Sequence, residues 1–183
     1  MNVNELQIIG FGGSGANILN QIKELYPNVY CIELTAYKKD LETCNADKCM
    51  LLGKDGFGCG LDLELGKIYI QEKQQEILDS IDLTKNTVLV SGLGGGCSSG
   101  SLLECCSLLT ENNKDFFTLV SIPFNFESET RLNTALYTIS TLLKSVNKEK
   151  LYLIDSPAKL KGKTLREAFK LLDKNFVEQL EKI

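Results

Sequence analysis

The sequence predicts an α/β fold, a mainly parallel six-stranded sheet with helices on both faces. Three observations predict it. Short apolar runs alternate with longer segments of helical periodicity along the 183 residues. Three of those runs end in glycine-rich loops, at Gly10–Asn17, Gly53–Gly60 and Gly92–Gly100. No linker, repeat or low-complexity stretch divides the chain, so one domain over 1–183 is expected and no second.

Each element follows from its residues. Leu6–Ile9 is a short apolar first strand, and Ile18, Leu19, Ile22 and Leu25 then recur at helical spacing until Pro27 ends the helix. Val29–Ile32 reads as the second strand, about Ala36 to Cys44 as a short helix, and Met50–Leu52 as the third strand. Leu63 to Ile81 reads as a longer helix with Leu65, Ile68, Ile70, Ile77 and Ile81 on one broad stripe. Thr87–Ser91 is the fourth strand, Ser101–Leu109 a helix, and Phe116–Ser121 the fifth strand. Leu132, Ala135, Leu136, Ile139, Leu142 and Leu143 mark the next helix. Leu151–Ile154 is the sixth strand, and a last helix runs from an N-cap at Thr164 to Ile183.

Composition excludes several functions. The formal net charge of −4 argues against a nucleic-acid partner. No apolar run is long enough to span a membrane, and the first residues lack a secretory signal. There is no histidine, which removes Cys/His zinc sites and histidine base catalysis. The seven cysteines contain no Cys-x-x-Cys pair and read as free thiols of a cytoplasmic protein, with Cys31, Cys105 and Cys106 in apolar contexts.

Strand, glycine loop, helix is the geometry that offers backbone N–H groups and a helix N-terminus to an anion. Glycine in a regular element costs roughly 0.5–1 kcal/mol relative to Ala, and a phosphate approached by bare backbone would offset it. The plain alternative is a tight turn with no ligand. In a parallel sheet all three loops fall at the carboxyl edge, where ligands bind.

The first loop fits Gly-x-Gly-x-x-Gly at Gly10, Gly12 and Gly15, with Glu33 where a Rossmann NAD site places its ribose acid. An NAD-binding oxidoreductase is therefore one reading, although it leaves two glycine loops without a role. Gly162-Lys163-Thr164 ends like a P-loop, but Pro157 stands where the opening glycine belongs.

Four stretches in order, Gly10–Asn17, Gly56–Lys67, Gly92–Gly100 and Pro123–Arg131, resemble the nucleotide-binding loops of the tubulin/FtsZ family. The match is closer to FtsZ than to eukaryotic tubulin. Gly56–Lys67 resembles that family's Gly-Leu-Gly-Ala-Gly-Ala-Asn-Pro-Glu-Val-Gly-Arg, and Pro123-Phe124-Asn125-Phe126-Glu127 is identical to the segment that usually follows strand five. The similarity runs from about Leu6 to the end of the chain.

The resemblance implies GTP or GDP as ligand, with Mg2+ as its companion ion and no metal ligand or catalytic residue assigned in this chain. It implies a phosphate cradle of Gly12, Gly13, Ser14 and Asn17, then Gly58, Cys59 and Gly60, then Gly94, Gly95, Gly96, Cys97 and Ser98. Glu127 and Arg131 correspond to residues that contact sugar and phosphate. Read from spacing alone they are an i,i+4 ion pair, worth about 0.2–0.5 kcal/mol. Phe169 and Asp173, one helical turn apart, correspond to the residues that stack on the base and read the guanine N1/N2 edge. The bland alternative puts Phe169 in the core and Asp173 in solvent.

This chain departs from the family pattern in places. Gly-Gly-Gly-Cys-Ser-Ser-Gly replaces the usual Gly-Gly-Gly-Thr-Gly-Ser/Thr-Gly, so Cys97 and Ser98 alter the cradle. Thr35 lies near a usual acid, and Ser156 near a usual asparagine. No Asn-x-Asp-x-x-Asp, the acidic segment that completes the GTP site of the next subunit, occurs. Weak or absent hydrolysis alone is the expectation, with a full-length FtsZ/tubulin-like subunit as partner. The competing expectation is a filament-capping or regulatory protein with a degenerate site.

Overall fold

A computed structural model describes residues 2–154 and 164–183, so Ser156, Pro157 and Gly162-Lys163 lie outside the described residues. Six strands, β1 (Leu6–Phe11), β2 (Tyr30–Thr35), β3 (Lys48–Leu51), β4 (Asn86–Gly92), β5 (Phe116–Ser121) and β6 (Leu151–Ile154), form one sheet in the order β3-β2-β1-β4-β5-β6. Every pairing is parallel. The helices are α1 (Gly12–Leu25), α2 (Lys38–Thr43), α3 (Leu63–Leu78), α4 (Leu102–Glu111), α5 (Glu129–Ser145) and α6 (Leu165–Leu180).

The strand period of two assigns neighbouring residues to opposite faces. Ile8, Val88 and Leu119 pack with Ile18, Leu19 and Ile22 of α1 and Leu172, Phe176 and Leu180 of α6. Ile9, Leu89 and Val120 pack on the other face with Ile70 and Ile77 of α3, Leu102 and Leu109 of α4, and Ala135 and Leu142 of α5. Because both faces are covered, the strands read as continuous apolar runs rather than alternating ones.

Several boundaries move. β3 begins two residues before Met50, and Leu52 follows it, its N–H donating to the Thr35 carbonyl at 2.7 Å. The α3 stripe is narrower than expected: Gly66, Ile70 and Ile77 are buried, whereas Ile68 is 46% exposed and Ile81 follows the helix end. Positions 68 and 70 lie about 200° apart on a helix, so only one can face the core. In α5, Leu132, Leu136 and Leu143 are exposed, and the buried face is Ala135, Thr138 and Leu142. Thr164 is the N-cap of α6, closed by a capping box with Glu167.

Much of the glycine is used by the fold itself. A π-helical turn, Cys97–Ser101, leads into α4. A Cβ on Gly100 would lie 2.1 Å from the Leu63 carbonyl oxygen, and one on Gly96 would lie 2.5 Å from the Asp62 carbonyl oxygen. The π-turn and the start of α3 thus interlock backbone to backbone, and the Ser101 hydroxyl donates to the Gly66 carbonyl at 3.1 Å. Close packing, not a ligand, demands these two glycines.

Candidate functional site

β1 is the first strand of one half of the sheet and β4 of the other, and the strand order reverses between them, so the chains leaving β1 and β4 diverge and open a crevice at their carboxyl ends. A cavity of about 660 Å³ occupies it. All three glycine loops reach this cavity, as does the α6 pair.

Two helix starts face it without a side-chain cap. The N-cap of α1 is Phe11 and that of the π-turn is Gly96, and neither makes a side-chain capping bond. The short α2, whose N-cap Tyr37 also lines the cavity, is uncapped as well but carries Asp40 in its first turn, whereas α3, α5 and α6 are capped by Asp62, Ser128 and Thr164. The first N–H groups of a helix have no intrahelical acceptor, and the dipole adds partial positive charge there. Two such ends in one cleft make a place for an anion. The first glycine loop is itself this helix start: α1 begins at Gly12, earlier than its apolar periodicity indicates.

Of the sixteen residues expected at the site, fifteen line the cavity: Gly12, Gly13, Ser14, Asn17, Gly58, Cys59, Gly60, Gly95, Gly96, Cys97, Ser98, Glu127, Arg131, Phe169 and Asp173. Gly94 does not. Its φ is +109°, its N–H donates to Ser99 Oγ at 2.9 Å, and Pro123 and Arg131 close over it. It shapes the turn instead of offering a donor. Hydroxyls also turn inward. Ser14 Oγ accepts from the Gly92 N–H at 3.1 Å, tying α1 to the end of β4. Ser98 Oγ accepts from the Gly95 N–H at 3.3 Å.

Glu33 is not at the ribose position of a dinucleotide site. It is fully buried with both carboxyl oxygens unpaired, beneath the first loop, where a Cβ on Gly10 would meet Oε2 at 2.6 Å. Burial, foremost, holds its pKa well above the carboxylate range. It points from β2 under the loop because its alternation places it on the α1 face.

The opposite end of the cavity is aromatic. Phe126 stacks on Phe124 at 5.0 Å, and Phe169 meets Phe124 edge-on at 5.0 Å. Phe169 is 41% exposed, whereas burial raises the Asp173 pKa to about 6. The bland alternative for this pair is thus reversed: the ring is open to the cavity and the acid is largely withdrawn from water. Glu127 Oε1 accepts from the Phe124 N–H at 2.9 Å, and Oε2 lies 3.8 Å from Arg131 Nη1, so the pair is long and both members still reach the cavity.

Sequence reasoning named Thr35 only as standing near a usual acid and missed Tyr37 and Asp40; all three line the cavity. Thr35 Oγ1 donates to Asp40 Oδ2 at 2.8 Å, and Asp40 Oδ1 would lie 3.1 Å from a Cβ on Gly13. An acid is therefore present near Thr35, displaced to the first turn of α2. Its signal was available as Asp40 following the second strand, but only the fold turns it inward.

Together these features define a doubly wound α/β protein whose cleft joins an anion-receiving end to an aromatic and acidic end. The sequence model described as Tubulin/FtsZ family, GTPase domain, matches residues 5–150, and the chain belongs to that family. The chain is 25% identical over 183 residues to cell division protein FtsZ 1 of Pyrococcus horikoshii, covering 97% of this chain and 49% of that protein. It is 26% identical over 143 residues to the Pyrococcus furiosus protein of the same name, covering 76% of this chain and 38% of the other. An empty FtsZ dimer from M. jannaschii shares the fold with a TM-score of 0.83 at 24% identity, over 92% of this chain and 51% of that one. A GTPγS-bound CetZ2 protofilament from Haloferax volcanii gives 0.81 at 22%, over 96% and 56%. The chain spans about half the length of these relatives or less.

Proposed function

We propose that this chain is a single guanine-nucleotide-binding domain of the FtsZ/tubulin type, serving a cytoplasmic, cytoskeletal or cell-division role. The observation that carries the reading is the pair of uncapped helix starts in one cleft with Phe169 and Asp173. The phosphates would lie against the start of α1, where the Gly13 and Ser14 N–H groups have no intrahelical acceptor, and against the Cys97 and Ser98 N–H groups, each anion–dipole contact contributing about 0.3–1 kcal/mol. Phe169 would stack on the base. Asp173 would accept the N1–H and N2–H donors of guanine, a pair that adenine lacks. Glu127 and Arg131 would contact the sugar and a phosphate. Mg2+ would arrive with the phosphates.

These 183 residues hold no Asn-x-Asp-x-x-Asp segment, so this polypeptide alone would hydrolyse GTP weakly or not at all. A full-length FtsZ/tubulin-like subunit is the proposed partner that supplies the missing acids. No helix among the described residues is long and apolar enough to cross a membrane. Calorimetric titration with GDP, GTP and ATP tests the reading: guanine nucleotides should bind and ATP should not. Equal or absent affinity for all three would sink it. A second reading, a filament modulator with an empty site, is favoured by the thiol of Cys97 where a hydroxyl is usual, and GDP carried through purification would dispose of it.

A further inference from the structure

Two thiols at the phosphate end of the cavity do more than line it. Cys59, in the turn before α3, and Cys97, the first residue of the π-turn, both line that end, close enough for each thiol to act on the other's proton affinity. Their loops are tied together by the Gly96 N–H donating to the Gly60 carbonyl at 2.8 Å. Two donors face Cys97 Sγ, the Cys59 thiol and the Ala36 N–H, and the Ser101 hydroxyl, whose own hydrogen goes to Gly66, lies 3.7 Å from it. A helical N-terminus adds its dipole. Led by the Cys59 thiol, these donors hold the Cys97 thiol below its usual range, against burial and the Asp40 carboxylate. Cys59 is pushed the other way, first by the Cys97 thiol and then by burial. One sulfur is prepared to attack and its neighbour keeps a proton.

We propose that Cys97 and Cys59 form a peroxide-sensitive dithiol that closes to a disulfide across the phosphate end of the cavity. The Cys97 thiolate attacks one oxygen of hydrogen peroxide; an S–O bond forms, the O–O bond breaks, and the departing hydroxide leaves as water after taking a proton. Cys59 sulfur then attacks the sulfenic sulfur; the S–S bond forms, the S–O bond breaks, and the second water leaves with the proton Cys59 gives up. Two thiols lose two electrons and peroxide is reduced to two waters. The backbone bond between Gly96 and Gly60 holds the two cysteine-bearing loops side by side, and closing the bridge brings the sulfurs to roughly 2.05 Å.

The other cysteines supply the control. Cys49 is exposed and shares a hydrogen bond with Cys44, but burial raises both thiols, Cys44 to about 12. Exposure alone would have Cys49 oxidised first; thiolate chemistry selects Cys97. The consequence for ligand binding rests on the proposed nucleotide reading: a phosphate in the cradle covers the attacking sulfur, and the disulfide disturbs the donors that hold the phosphate. Losing one or two such contacts weakens GDP binding by about tenfold.

The test treats the 183-residue protein with equimolar hydrogen peroxide, caps free thiols with N-ethylmaleimide and maps the peptides by mass spectrometry. The expected first product is a Cys59–Cys97 disulfide, reversed by dithiothreitol and formed more slowly with GDP present. Cys59→Ser should trap a dimedone-reactive sulfenic acid on Cys97 and form no disulfide there. Oxidation of Cys49 ahead of Cys97, or a Cys97 that stays fully alkylated, would overturn the inference while leaving nucleotide binding untouched. A disulfide that forms at the same rate with and without GDP, in protein that binds no GDP by calorimetry, would uphold the dithiol and refute the nucleotide reading.

Discussion

Asp173 gives a prediction in which stability and binding move in opposite directions with pH. Burial raises its pKa from 3.8 to about 6. Between those values the folded chain keeps a proton that the unfolded chain has lost, so stability falls as pH rises through that window and levels off above it. A difference of about two units at 1.36 kcal/mol each amounts to about 3 kcal/mol as an upper figure. Guanine needs the other form, since only the ionised carboxylate accepts from both N1–H and N2–H. About one site in ten is ionised one unit below the pKa, so GDP affinity should drop about tenfold from pH 7 to pH 5. Asp173→Asn should abolish the stability slope and make the free chain more stable at neutral pH. It should also weaken GDP by at least about 100-fold, because two hydrogen bonds to a charged group are worth about 1.5–3 kcal/mol each. Thermal melts and GDP calorimetry on both proteins, from about pH 4 to about pH 8, read the two effects. Because other carboxyls titrate in this range, the difference between the proteins is the quantity compared. A GDP affinity independent of pH in the parent chain, or an Asn variant that keeps full affinity, would refute the reasoning.

Two further substitutions separate site from scaffold. Phe169→Ala should weaken GDP by about 1–3 kcal/mol, the value of a base–aromatic stack, with little change in melting temperature because the ring is 41% exposed. A loss of stability with unchanged GDP affinity would return Phe169 to a packing role. Gly100→Ala drives a Cβ to within 2.1 Å of a backbone oxygen of Leu63, and no rotamer relieves that contact. Overpacking of this kind costs about 1–3 kcal/mol, a fall of about 2–12 °C in a chain of this size. Gly13→Ala meets only the Asp40 side chain, at 3.1 Å, and should leave the melting temperature nearly unchanged.

What could be read in advance divides along physical lines. The six strands and the order of elements were legible because a strand buried on both faces must be apolar throughout, whichever neighbour it pairs with. The glycine loops were legible as a candidate anion site because a strand-to-helix turn with several glycines has few uses. The α3 and α5 stripes were over-read, because spacing lists the residues that could face a core and not which of them a neighbouring element covers. Ile68 and Leu136 are apolar and exposed for that reason.

By itself the sequence determined the α/β class and the carboxyl-edge location of three glycine loops, and its resemblance to the tubulin/FtsZ family implied sixteen site residues, fifteen of which line the cavity. Tertiary structure alone decided what each group does there. It buried Glu33 under the first loop, turned Asp40 inward beside Thr35, and removed Gly94 from the cavity by occupying its N–H. It also assigned Gly96 and Gly100 to backbone packing against α3, and brought Cys59 to Cys97 across 38 positions of sequence. Periodicity and motifs describe a residue against its chain neighbours. Burial, hydrogen-bond partners and proton affinity depend on groups distant in the chain, which only the closed fold brings together.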